Sequence, residues 1–134
     1  MEPGPLIYAL LSQAAPVAAL LAYVHPEEGL QHRIYPVQAP QHTPRPYVNY
    51  QLISGGPAEG SSAICRLGDV ARVQLSVFAD NYPALASITA ALRAVLDYAE
   101  PEPGVSLTLD NQQDHFEANA LCLFRSLDYV VELP

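Results

Sequence analysis

The stretch that decides the fold is DVARVQLSVFADNYPALASITAALRAVLDYA, residues 69–99. Its first eleven residues alternate. Val73, Leu75 and Val77 fall on one side and Arg72, Gln74 and Ser76 on the other, the period-two pattern of a strand with one buried face. The period then changes. Asp80 and Asn81 are helix-capping residue types, Pro83 suits a first helical turn, and Leu85, Ile88, Leu92, Val95, Leu96 and Ala99 recur at helical spacing. The segment therefore reads as a strand over 64–79 turning into a helix over 83–99, which Pro101 and Pro103 end.

Working toward the C-terminus, residues 104–110 read as a strand with Leu107 and Leu109 facing inward. Residues 110–119 read as a polar turn, and 119–133 as a long final strand. Leu123, Leu127, Tyr129, Val131 and Leu133 share one face of that strand, and Arg125 interrupts it. Working toward the N-terminus, residues 54–62 read as a hairpin loop. Ser54-Gly55-Gly56-Pro57 is its tip, where glycine supplies positive φ. Residues 47–54 alternate as a strand, with Val48, Tyr50 and Leu52 against Asn49 and Gln51. Residues 36–46 form a loop holding Pro40, Pro44 and Pro46, and 32–36 are a short extended piece that Pro36 confines to an edge or an end. Residues 25–31 are a turn, and 5–24 are two apolar helices broken before Pro16. This order predicts a single α+β domain over 1–134, a mostly antiparallel sheet with helices packed on one face.

The composition narrows the function. The chain has 134 residues, half of them apolar, enough for one core. Fourteen acidic residues face six basic ones, giving a net charge of −8 with no lysine. The arginines are scattered, so no basic stripe exists to wrap a phosphate backbone. A negative wall would instead let DNA slide past without sticking. The uncharged run from Leu6 to Val24 approaches membrane-span length. Ser12, Gln13 and Pro16 interrupt it and no Lys or Arg flanks it, so it is read as core helix and no membrane partner is expected. Cys65 and Cys122 are read as small hydrophobes in strands rather than as a bridge.

A search for chemistry comes up empty. No nucleophile motif accompanies His25, His32, His42 or His115, so no catalytic residue is assigned. Asp110, Asp114, His115 and Glu117 cluster in sequence but lack calcium-loop spacing and are read as a solvated turn; no metal and no cofactor is expected. The 54–57 glycines lack the Gly-Lys-Ser/Thr of a phosphate loop. Tyr35, Tyr47 and Tyr50 have no companion basic residues and are read as strand packing or subunit contact. Arg33 and Arg125 each interrupt an apolar strand, and both are expected to pair with carboxylates at or near subunit contacts. The candidate interface residues are thus Arg33, Tyr35, Tyr47 and Arg125.

Several of these segments, taken in order, resemble one family. Arg33-Ile34-Tyr35-Pro36, Ala39-Pro40 and Pro46-Tyr47-Val48-Asn49-Tyr50-Gln51-Leu52-Ile53-Ser54 are followed by the Arg72 to Ile88 segment. Asp110-Asn111, Asp114, Phe116-Glu117 and the run from Arg125 to Asp128 complete the series. Together they are similar to the small tail completion, or tail terminator, proteins of long-tailed, non-contractile phages (siphophages). The absence of lysine and the length of the 36–46 loop depart from that pattern. The resemblance implies a non-enzymatic structural virion protein at the head-proximal end of the tail, assembled in the host cytoplasm. It implies a ring, usually a homohexamer, that caps the tail tube, stops elongation and offers the surface for head–tail joining. The implied partners are further copies of the chain, the tail tube protein and the head–tail connector or neck proteins, with DNA passing through the lumen without specific binding. The alternatives are a neck or head-completion adaptor and a small α+β ligand-binding domain.

Overall fold

The structure, a computed structural model, describes residues 2–134. Two helices open the chain, α1 (Pro3–Gln13) and α2 (Ala15–Leu21). Prolines occupy the first turn of each, where a missing N–H costs nothing. The pair bends by 88° at the break, and no single helix among the described residues is long and apolar enough to cross a membrane. Ile7, Leu11, Val17 and Leu21 are fully buried in the core.

A small antiparallel hairpin follows, β1 (Ala22–His25) and β2 (Gly29–His32). This corrects the sequence expectation at two places: the helical region ends at Leu21, not at residue 24, and the 25–31 turn belongs to a hairpin. Positive φ at Gly29 makes the tight reversal.

The main sheet comprises β3 (Ile34–Pro36), β4 (Tyr47–Pro57), β5 (Asp69–Ala79), β6 (Ser106–Glu117) and β7 (Cys122–Leu133), in the order β3-β4-β5-β7-β6. All pairings are antiparallel except β3 with β4. Helix α3 (Tyr82–Leu96) links β5 to β6. Its N-cap is Asn81, whose Oδ1 accepts from the Ala84 N–H at 2.9 Å. The helix stops at Leu96, short of Ala99, because Asp97 is extended and Tyr98 takes φ of 60°. The three helices cover one face of the sheet, and Val48, Val73, Leu75, Val77, Leu127, Tyr129 and Val131 meet them in one core.

Four further expectations are corrected. β4 runs on through the glycines to Pro57, so Gly55 and Gly56 are strand residues without positive φ. The loop spans 58–68, and β5 starts at Asp69 rather than residue 64. In that loop Gly60 and Gly68 both take φ of 87°, and at Gly68 an added Cβ would also lie 2.2 Å from the Leu133 carbonyl oxygen. The polar 110–119 segment is mostly strand. β6 pairs with β7 from Ser106↔Glu132 to Glu117↔Cys122, with an irregularity between Leu109 and Asn111. Finally, Cys122 is buried in β7 but Cys65 lies exposed in the 58–68 loop, and both are free thiols.

Candidate assembly surfaces

Strand register carries the side chains of the uncovered face into rows across β4, β5, β7 and β6. The first row is aromatic. Tyr47 stacks on Phe78 at 4.7 Å between centroids, Phe78 on Phe124 at 5.0 Å, and Phe124 on His115 at 4.7 Å. The next rows are polar: Asn49, Ser76, Ser126 and Gln113, then Gln51, Gln74, Asp128 and Asn111. His115 Nε2 and Ser126 Oγ lie 3.0 Å apart, and Gln74 Nε2 donates to Asp128 Oδ1 at 3.0 Å. Arg72 is the one cation of these rows, and its Nη1 donates to Asp110 Oδ2 at 2.8 Å. With Asp128 and Glu132 on the same face, the surface is polar and slightly acidic.

The four candidate interface residues do not form one cluster. Tyr47 anchors the aromatic row, half-buried, and burial pushes its phenol pKa upward. Arg125 projects from the opposite face of β7 and is only 8% exposed. Its Nε donates to Asp114 Oδ1 at 2.6 Å, and its Nη2 to Asp114 Oδ2 at 3.4 Å and to the Tyr82 hydroxyl at 3.0 Å. The guanidinium hydrogen bond holds the Asp114 carboxyl below its ordinary value. The expected carboxylate partner of Arg125 is thus supplied by its own chain.

Arg33 departs from expectation: it pairs with carbonyls rather than with a carboxylate. Its Nε donates to Leu21 O at 3.0 Å and its Nη2 to Leu20 O at 3.4 Å, and the guanidinium lies 5.1 Å from the Tyr23 ring centroid. Longer contacts of 3.5 Å reach the Pro44 and Arg45 carbonyls. A cation at the end of α2 satisfies carbonyls that the helix leaves unpaired, and here it also ties the proline loop to β3. Tyr35 stands nearby, half-buried, with its pKa raised by burial and by Tyr23. It lines a hollow of about 240 Å³ between the β1–β2 hairpin and the proline loop.

The acidic residues of β6 are spread along the strand instead of converging. Asp110 is held by Arg72, Asp114 by Arg125, and His115 points to the other face from Asp114. No three His, Cys, Asp or Glu side chains converge as metal ligands among the described residues.

Sequence reasoning missed the exposed apolar tips. Ile64 is 99% exposed in the 58–68 loop, with Leu67 beside it. Val24 and Leu30 stand out from the β1–β2 hairpin, and Phe116 and Leu121 from the end of the β6–β7 hairpin. The signal available was an isoleucine and a leucine inside a Gly/Ser-rich loop, where no core could receive them.

A sheet with one face covered by helices, the other mostly polar, and apolar tips at its margins makes this an α+β domain. The chain belongs to the family described as tail completion protein gp17, whose profile matches residues 6–129; it is a structural virion tail protein. Among solved structures, a chain described as the virion of a native gene transfer agent particle has a similar fold. The TM-score is 0.65 at 20% sequence identity, covering 95% of this chain and 90% of that one. No curated protein matches the chain.

Proposed function

We propose that this chain is a tail terminator: a subunit of a ring, built of six copies, that caps the tail tube, stops its elongation and receives the head–tail connector. Family membership gives the tail assignment. The observation that carries the ring reading is the uncovered sheet face, broad, polar and slightly acidic, which suits the wall of a channel through which DNA passes without adhering. The arginines reinforce this. Of the six, five are engaged inside the chain: Arg33 with carbonyls, Arg45 with Asp80, Arg72 with Asp110, Arg93 with Asp97 and Arg125 with Asp114. Arginines paired with carboxylates present little net positive charge to phosphate, so a DNA duplex meets no basic patch along the sheet.

Native mass measurement with negative-stain imaging tests the reading. The expected result is a ring with an open centre, either alone or on the tips of added tail tubes. A chain that stays monomeric in both conditions would refute it. Binding to portal-bearing heads but not to tubes would move the protein to the neck side of the joint.

A further inference from the structure

Resting on that ring reading, we infer that subunits join edge to edge through their main sheets, with β6 of one copy adding to the outer half of β4 of the next. Both edges are open. β6 ends the sheet; its twelve residues contain no Pro and no Lys, and its edge is guarded only by three carboxylates and the irregularity at Leu109/Asn111, which discourage pairing with another acidic strand more than with an uncharged one. At the other end β3 shields β4 only from Val48 to Tyr50. Beyond it, residues 51–57 are exposed throughout, and Leu52 and Ile53 are 51% and 47% exposed.

The two free lengths lie at the same level of the sheet. Following register across the strands, Leu52 of β4 aligns with Val73, Tyr129 and Leu109 of β6, and Ser54 with Arg72, Val130 and Thr108. An unstaggered ring contact would set Leu52 of one copy against Leu109 of its neighbour on the helix side. It would set Ser54 against Thr108 and Gln51 against Asn111 on the polar side. Apolar meets apolar and polar meets polar, as in the cross-strand pairs of a single sheet.

Strand direction agrees. β4 and β6 run in opposite directions within one subunit. Rotation about a ring axis preserves direction, so the new contact is antiparallel, the better-bonded kind. Charge selects against the two-fold alternative. β6 carries Asp110, Asp114 and Glu117, so pairing β6 with β6 would crowd six carboxylates along one ladder. β4 has no charged residue from Tyr47 to Pro57. The mixed contact is head-to-tail and closes into a ring. Five strands at ordinary spacing cover roughly 24 Å, so six subunits would close a cylinder roughly 45 Å across at the backbone.

The test is cross-linking on a Cys65→Ser background, which removes the exposed native thiol. Ser54→Cys and Thr108→Cys are installed separately and together, and a short bis-maleimide is added to the protein alone and to protein mixed with tail tubes. Circular dichroism and thermal melts establish that each variant is folded. The expected result is a ladder of covalent multimers reaching the ring number in the double variant, with neither single variant cross-linked. Dimers from Thr108→Cys alone, or from Ser54→Cys alone, would show a two-fold edge contact and overturn the inference. Rings seen by negative stain without cross-linking of the double variant would also overturn it while leaving the ring reading intact. The absence of rings in either condition would remove both.

Discussion

The two faces of the sheet have the same backbone and opposite chemistry. Along β5, Ala71, Val73, Leu75, Val77 and Ala79 are buried under the helices, while the alternate residues Arg72, Gln74, Ser76 and Phe78 stay partly open. The covered face has met most of its requirements inside the chain: its apolar core is removed from water, and its buried charge, Arg125, is paired with Asp114. The open face is wetted, and its side chains bond chiefly to one another. Stability therefore resides on the first face, and the second is free to be shaped by neighbours. A subunit that must fold before it assembles benefits from that division, because changes on the open face then leave the fold unharmed.

This contrast fails if the faces respond alike to substitution. The largest effect is expected for Leu75→Ala, at a fully buried position, which should lower unfolding free energy by about 2–5 kcal/mol in urea titration. Tyr129→Phe should come next. The Tyr129 hydroxyl donates to Asp97 Oδ1 at 2.6 Å, and burial, followed by that bond, pushes its pKa well above the ordinary tyrosine value. Its loss should cost about 1.5–3 kcal/mol, since the acceptor is charged.

Asp114→Asn should have a smaller effect, and a pH-dependent one. The folded-state pKa of Asp114 is depressed, so the pair's contribution is complete above the unfolded value of about 4 and is lost as pH falls through the lower folded value. Melting temperatures of wild type and variant should differ most near neutrality and converge in acid. Asp114 is 43% exposed, so screening keeps the whole difference below about 1 kcal/mol. Smallest of all, Gln74→Ala on the open face should shift stability by no more than about 0.5 kcal/mol. A loss there as large as that of Leu75→Ala would abolish the distinction between the faces.

How much of this was legible in the sequence depended on burial. β5 and α3 stand where the alternation and the helical spacing put them, within a few residues, because each buries one face and the burial leaves a periodic trace. β6 past Leu109 could not be read. Residues 110–117 lie on an open edge with nearly every side chain in water, so no face selects apolar residues and the strand reads as a turn. β1 and β2 were missed because each is four residues long, too short for a period to show. Of the candidate site residues, Arg125 was found through its break in an apolar face, and its partner Asp114 lay in the segment misread as a turn. Arg33 was noticed by the same logic, but its carbonyl partners come from two distant segments, the end of α2 and the proline loop, that no local pattern joins.

The sequence by itself determined the α+β class, the covered face and the acidic, lysine-free surface, since these follow from the period and charge of consecutive residues. Only the tertiary structure decided the strand order, the parallel placement of β3 that leaves half of β4 open, the aromatic row from Tyr47 to His115, and the pairings of Arg72 with Asp110 and Arg125 with Asp114. Those depend on register between strands far apart in the chain. Register is fixed by how the whole buried face fits against the helices, not by any stretch read alone.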